Sequence, residues 1–128
     1  MSHRILLRTV VLDYPADVHD RARDFWQSAL DGAIRRGTHH PAYHVLEHPA
    51  ALGTVLVQQI EDGASRVHLD IESDDPGAEV TRLLAAGAVE VARIEDWVVL
   101  RDPGGLLFCV IPALLDEDFA RSSHLVGD

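Results

Sequence analysis

The feature that most constrains this chain is a pattern of strand, helix and three strands that occurs twice. Residues Ile5 to Leu12 are almost all apolar or β-branched, as a buried strand requires. Asp13-Tyr14-Pro15-Ala16-Asp17 then supplies turn chemistry, and Asp17 is placed to cap a helix. In that helix Ala22, Phe25, Trp26, Ala29 and Leu30 fall on one apolar stripe that should face a core and end at Gly32. Three strands are expected next, over Ala33 to Gly37, Tyr43 to Glu47 and Gly53 to Ile60, broken at His39-His40-Pro41 and His48-Pro49.

After the Asp62-Gly63 turn the order begins again. A strand from Arg66 to Ile71 alternates Val67, Leu69 and Ile71 with His68, Asp70 and Glu72, so one face is apolar and the other ionisable. Asp75 and Pro76 suit the N-cap and first helical position, Val80, Leu83 and Leu84 make the buried stripe, and Gly87 suits the position just past the helix end. Strands are predicted at Val89 to Ile94, Trp97 to Arg101 and Leu106 to Ile111, with Asp102-Pro103-Gly104-Gly105 as the tight turn before the last. The halves also match in sequence. Val11-Leu12-Asp13-Tyr14 aligns with His68-Leu69-Asp70-Ile71, and Leu30-Asp31-Gly32-Ala33 with Ala85-Ala86-Gly87-Ala88, which points to a duplicated βαβββ unit.

Length limits how this pattern is housed. With 128 residues and 47% hydrophobic content the chain can bury one core, so the expectation is a single domain over residues 1–112, with modules near 5–61 and 65–112 and a tail over 113–128 that is frayed or docked. Charge and composition exclude several partners. All eleven basic residues are arginines scattered through a chain of net charge −10, so no concentrated cationic surface exists for nucleic acid. No apolar run is long enough for a membrane span and the start does not read as a signal peptide, so a cytoplasmic location is expected. Cys109 is the single cysteine, which rules out an internal disulfide.

Four segments carry a resemblance to a known family: Asp24-Phe25-Trp26, Arg66-Val67-His68-Leu69-Asp70, Leu84-Ala85-Ala86-Gly87-Ala88, and the run from Trp97 through Asp102-Pro103-Gly104-Gly105 to Cys109. In order and spacing they make the chain resemble the glyoxalase-like and bleomycin-resistance-type members of the vicinal-oxygen-chelate superfamily. The resemblance implies an α+β fold of two tandem βαβββ modules whose curved mixed sheets enclose a cleft. A small molecule, and commonly a divalent metal, would bind there, and relatives often form homodimers.

The implied metal site takes ligands from the opening and closing strands of each half. His68 stands at the second half's opening-strand position, on the same strand face as Asp70 and Glu72. Its first-half counterpart is Thr9 or Val11, neither a good ligand. Gln58, with Gln59 on the opposite face, is the first half's closing-strand candidate. Cys109 holds the second, although a lone cysteine between Phe108 and Val110 is more often a small core residue. A divalent metal is therefore compatible with the donor set but not required by it, and His68 could instead be a hydrogen-bonded histidine in a polar cleft.

Two further groups stand out. His39, His40, His44 and His48 fall within ten residues, where strand alternation would put His44 and His48 on one face and the flanking prolines suggest an exposed loop. Trp97 and Arg101 share a strand face and would offer a planar or anionic ligand an aromatic wall and a cation. Trp26 is expected to pack beneath the sheet.

Two functions compete. The first is a binding protein that sequesters or carries a small organic molecule without metal, with Gln58, His68, Asp70, Trp97 and Arg101 as contacts; the acidic charge would favour a cationic ligand. The second is a metal-dependent lyase, isomerase or oxygenase acting on vicinal oxygens, with Asp70 or Glu72 moving a proton. No nucleophile triad, phosphate loop or nucleotide fingerprint adds a third chemistry, and Gly104-Gly105 reads as a turn.

Overall fold

The computed structural model describes residues 2–30, 33–36, 43–47 and 53–127. The elements run β1 (His3–Pro15), α1 (Ala16–Leu30), β2 (Ala33–Arg36), β3 (Tyr43–Glu47), β4 (Thr54–Ile60), β5 (Arg66–Ser73), α2 (Pro76–Ala86), β6 (Val89–Ile94), β7 (Trp97–Arg101), β8 (Leu107–Pro112), α3 (Glu117–Ser122) and β9 (His124–Val126). The twofold strand, helix and three-strand order is present as the sequence indicated, in an α+β fold. The chain forms two compact units: one holds Thr9–His68, the other the chain up to Arg8 together with everything from Leu69 onward.

In the Thr9–His68 unit β1 pairs in parallel with β4, and β3 pairs antiparallel with both β4 and β2. The core is Leu46, Val55 and Val57, packed by Leu12, Tyr14, Trp26, Leu30 and Ile34. Trp26 does lie against the sheet as expected, and its Nε1 donates to the Tyr14 hydroxyl at 2.9 Å, so the buried indole keeps a partner. The expected turn at Asp13–Asp17 is absent. β1 continues to Pro15 and α1 starts on the next residue, which leaves Asp17 inside the first helical turn instead of at the cap. There its charge favours the positive end of the helix dipole. The apolar stripe is also rotated from expectation: Phe25 is 61% exposed and touches Trp26 edge-on, while His19 is the buried residue of the helix. Packing chose the face that carries the largest ring together with Leu30, and Phe25 falls at the margin of that face.

The other unit repeats the scheme. β5 pairs in parallel with β8, β8 antiparallel with β7, and β7 antiparallel with β6. Val80, Val98, Leu100 and Val110 form the core, with Leu83 and Phe108 against them. α2 is bounded as its sequence dictates. Asp75 accepts from the Ala78 amide at 3.1 Å, Pro76 opens the first turn, and Gly87 takes the left-handed conformation (φ 117°) that lets its amide and that of Ala88 close onto the Leu84 and Leu83 carbonyls. The tail is docked within its unit: β9 pairs antiparallel with His3–Ile5, and Arg4 bonds the Ser123 hydroxyl and carbonyl. Among the described residues no helix is long and apolar enough to cross a membrane.

Candidate functional site

Alternation along β1 and the parallel register with β4 set the first part of the site. Thr9, Val11 and Asp13 share one strand face, and Asp13 stands directly opposite Gln58. Residues opposite each other in a parallel pair point to the same side, so the carboxylate and the amide are neighbours. Asp13 is 1% exposed, and His68 Nδ1 donates to its Oδ2 at 2.5 Å. Arg66 Nε lies 3.8 Å from the same oxygen. The other oxygen, Oδ1, is buried and has no hydrogen-bond partner among the described residues. Gln58 is half-buried and Gln59 is exposed.

The second part repeats this layout. On β5 Asp70 stands opposite Cys109 of β8, both 7% exposed. His68 precedes Asp70 by two residues on the same strand, hence on the same face. The donor atoms of His68, Asp70 and Cys109 all lie within 4.8 Å of one another. The exposure of β5 inverts ordinary alternation: its apolar face carries Val67 at 60% and Leu69 at 41% exposed, whereas Asp70 and Glu72 on the ionisable face are buried. A strand that buries its carboxylates must supply them with partners, and this one does so in part with arginine.

Glu72 shows that supply. Its Oε2 accepts from Arg8 Nε at 2.6 Å, and its Oε1 from Arg8 Nη2 at 2.9 Å and the Leu114 amide at 3.1 Å. Arg8 also grips Asp116, the residue that caps α3. The hydrogen bond that Arg8 donates to Glu72 is the chief reason its guanidinium is held even more firmly protonated than usual. Glu72 thus anchors the C-terminal segment with both oxygens engaged.

The remaining sequence candidates lie on β7 and β3, with Trp97 and Arg101 flanking Val99, which stands opposite Cys109 on the neighbouring strand. Trp97 is half-buried on β7 opposite Ile94, and Arg101, exposed, donates to the Gly105 carbonyl at 3.0 Å across the turn. Of the four clustered histidines only His44 lies among the described residues; His39, His40 and His48 fall outside them. His44 does not sit in an exposed loop: it is a buried β3 residue whose ring centre is 5.2 Å from that of His19. Burial, followed by the charges of His19, Arg23 and Arg36, pushes its imidazole below the ordinary histidine range.

Sequence reasoning missed Asp13 and His19. Asp13 was visible in the internal repeat, which aligns it with Asp70, and in its place on the Thr9/Val11 face. Its proline-flanked setting made it read as a turn. His19 left no such signal, because a polar residue among Asp17, Asp20 and Arg21 reads as solvated surface.

The family model described as Glyoxalase-like domain matches residues 9–111. No curated protein matches the chain. Among solved structures it is similar to methylmalonyl-CoA epimerase from Mycobacterium tuberculosis, with a TM-score of 0.60 and 16% identity over 84% of this chain and 87% of that one. It is similar as well to a hypothetical protein from Bacillus halodurans C-125, with a TM-score of 0.60 and 8% identity over 88% of this chain and 99% of that one. A xylose isomerase-like TIM barrel/4-hydroxyphenylpyruvate dioxygenase fusion protein matches with a TM-score of 0.53 and 15% identity, over 81% of this chain and 25% of that one. At such identities the likeness concerns the fold, which hosts different reactions. The repeated βαβββ order, the parallel pairing of the first and fourth strands in both units, and a family match spanning most of the sequence together mean that this chain belongs to the glyoxalase-like domain family of the vicinal-oxygen-chelate superfamily.

Proposed function

We propose that the protein is an enzyme acting on a small molecule with adjacent oxygens, with a divalent ion of the zinc class held by His68, Asp70 and Cys109. The observation that carries this reading is the convergence of their donor atoms within 4.8 Å. The donors suit the ion: nitrogen, oxygen and sulfur together match a borderline-soft metal, and three protein ligands leave a position for substrate. Asp13 strengthens the fit. By accepting from His68 Nδ1 it fixes the ring and leaves the other nitrogen as the ligand, the usual arrangement of a carboxylate behind a metal-bound histidine.

When bound, the ion would polarise a substrate oxygen. The chain's own residues do the rest. Asp13 holds the His68 ring in one orientation, and its buried Oδ1 can accept a proton or a substrate hydroxyl. Gln58, opposite Asp13, offers an amide to orient a neighbouring substrate oxygen. Glu72 is committed to Arg8 and Leu114, which makes Asp13 the better carboxylate for proton movement.

Cobalt(II) added to the purified protein tests this reading. A cobalt–thiolate charge-transfer band is expected, absent in Cys109→Ser and weakened in His68→Ala. No band in the unaltered protein would sink the proposal. A second reading, a metal-free carrier of a small organic molecule, is favoured by the Asp13–His68 hydrogen bond, which orients the ring without an ion. It takes over if no cobalt–thiolate band forms and a small cationic ligand still raises the melting temperature.

A further inference from the structure

The Thr9–His68 unit buries a pair of nitrogen donors that the β5 site does not use. His19, fourth residue of α1, is 3% exposed, and His44, on β3, is 9% exposed. Their ring planes are inclined by 50° with centres 5.2 Å apart. His19 Nδ1 bonds Asp20 Oδ1 at 2.8 Å, which fixes the hydrogen on Nδ1 and the lone pair on Nε2. That Nε2 is buried with no hydrogen-bond partner among the described residues, and so is Nδ1 of His44. Buried polar atoms are almost always satisfied, so two orphans on adjacent rings point to something that fills them.

Geometry narrows the occupant. Two imidazoles on one tetrahedral ion, with metal–nitrogen bonds of about 2.0–2.1 Å, have ring centres roughly 5 Å apart, close to the spacing seen here. Asp20 stands behind His19 as a carboxylate stands behind a ligating histidine, and burial keeps His44 neutral and able to donate its lone pair. The charges facing the pair are Asp20 and Arg23 from α1 and Arg36 from β2. Arg23 is engaged by Asp20 and Asp24. Two arginines nearby select against hard cations, which bind imidazole weakly, and favour an ion with strong intrinsic affinity for it.

We propose that His19 Nε2 and His44 Nδ1 form a two-histidine site for a transition ion of the nickel, copper or zinc class, tying α1 to β3 and separate from the donors on β5. The test uses the full chain carrying Cys109→Ser, together with His39→Ala, His40→Ala and His48→Ala, so that neither the β5 thiolate nor the neighbouring imidazoles contribute. Nickel(II) titration of this protein should show one site and a rise in melting temperature, and adding His19→Leu or His44→Leu should weaken binding at least tenfold. Should a leucine variant fail to fold, imidazole nitrogen resonances of the parent protein decide: zinc should shift His19 Nε2 and His44 Nδ1 together. Unchanged resonances at both rings, or equal nickel affinity with and without His19, would overturn the proposal. Because Cys109 is absent throughout, failure here leaves the cobalt–thiolate result of the β5 site untouched.

Discussion

The two units follow one plan and differ in how they treat the same buried position. The fourth residue of α2 is Glu79 and the fourth of α1 is His19; both are polar and both are buried. Glu79 is closed on every side. Arg82 grips both its oxygens, at 2.7 and 2.9 Å, and His3 Nε2 contacts Oε2 at 2.5 Å. His19 is closed on one nitrogen only. The strand pairs differ as well, since Asp70 stands opposite Cys109 while Asp13 stands opposite Gln58 and accepts from His68. A buried polar group whose partners are all protein serves stability. One left with an open donor is positioned for a ligand.

The strongest way to break this comparison is to remove both buried helix residues. Glu79→Ala should cost about 3–5 kcal/mol, because it strands His3 in the interior. His19→Leu should change metal-free stability by no more than about 1 kcal/mol, since an apolar group replaces an unfilled donor. Chemical denaturation measures both, and equal losses would erase the distinction drawn between the units.

Asp13→Asn sharpens the contrast at the strand pairs. It should lower cobalt affinity at the thiolate site about 10–100-fold, through loosened orientation of His68. Gln58→Ala, which leaves His68 in place, should move that affinity far less. If the two variants weaken cobalt equally, Asp13 has no special role in holding the ring.

Acid separates the units by titration. Burial pushes the Glu79 carboxyl up, but hydrogen bonds from Arg82 and His3 outweigh it and hold the group below its ordinary range. A carboxyl depressed in the folded state stabilises fully above its unfolded pKa of about 4.3, and that stability is lost as pH falls through the lower folded value. The melting-temperature gap between the parent and Glu79→Gln should therefore be widest near neutrality and close in acid. A gap that grows on acidification would mean that folding raises the Glu79 carboxyl instead of lowering it.

The smallest effects compare the helix ends. Gly87→Ala forces a side chain into a left-handed residue with its Cβ 3.3 Å from Pro103 Cγ, and should cost more than about 1 kcal/mol. Asp75→Ala removes a cap and should cost about 1 kcal/mol. Asp17→Ala, in a helix where Asp17 only adds charge to the first turn, should cost about 0.3–1 kcal/mol. An Asp17 loss as large as that of Asp75 would mean that it caps α1 after all.

Much of the architecture was legible in the chain because it is written in local chemistry. Tyr43–Glu47, Val89–Ile94 and Trp97–Arg101 begin and end where β-branched and apolar runs meet turn residues, and Asp75, Pro76 and Gly87 bound α2 through contacts within a few residues. Strand alternation puts His68 and Asp70 on one face of β5, and their donor atoms and that of Cys109 lie within 4.8 Å of one another. Alternation gave the faces of β5 but not which face would be buried. Arg8, far off in the sequence, makes burial of Glu72 affordable by meeting its charge.

The sequence by itself determined the repeated element order, the bounds of α2 and the family, since periodicity, capping and turn preference act over a few residues. Only the tertiary structure decided that β1 runs on through Asp13, that α1 turns His19 inward and Phe25 outward, and that Asp13 meets His68. Each of these depends on which distant side chain fills the space or satisfies the charge, and that energy is settled only when the elements pack.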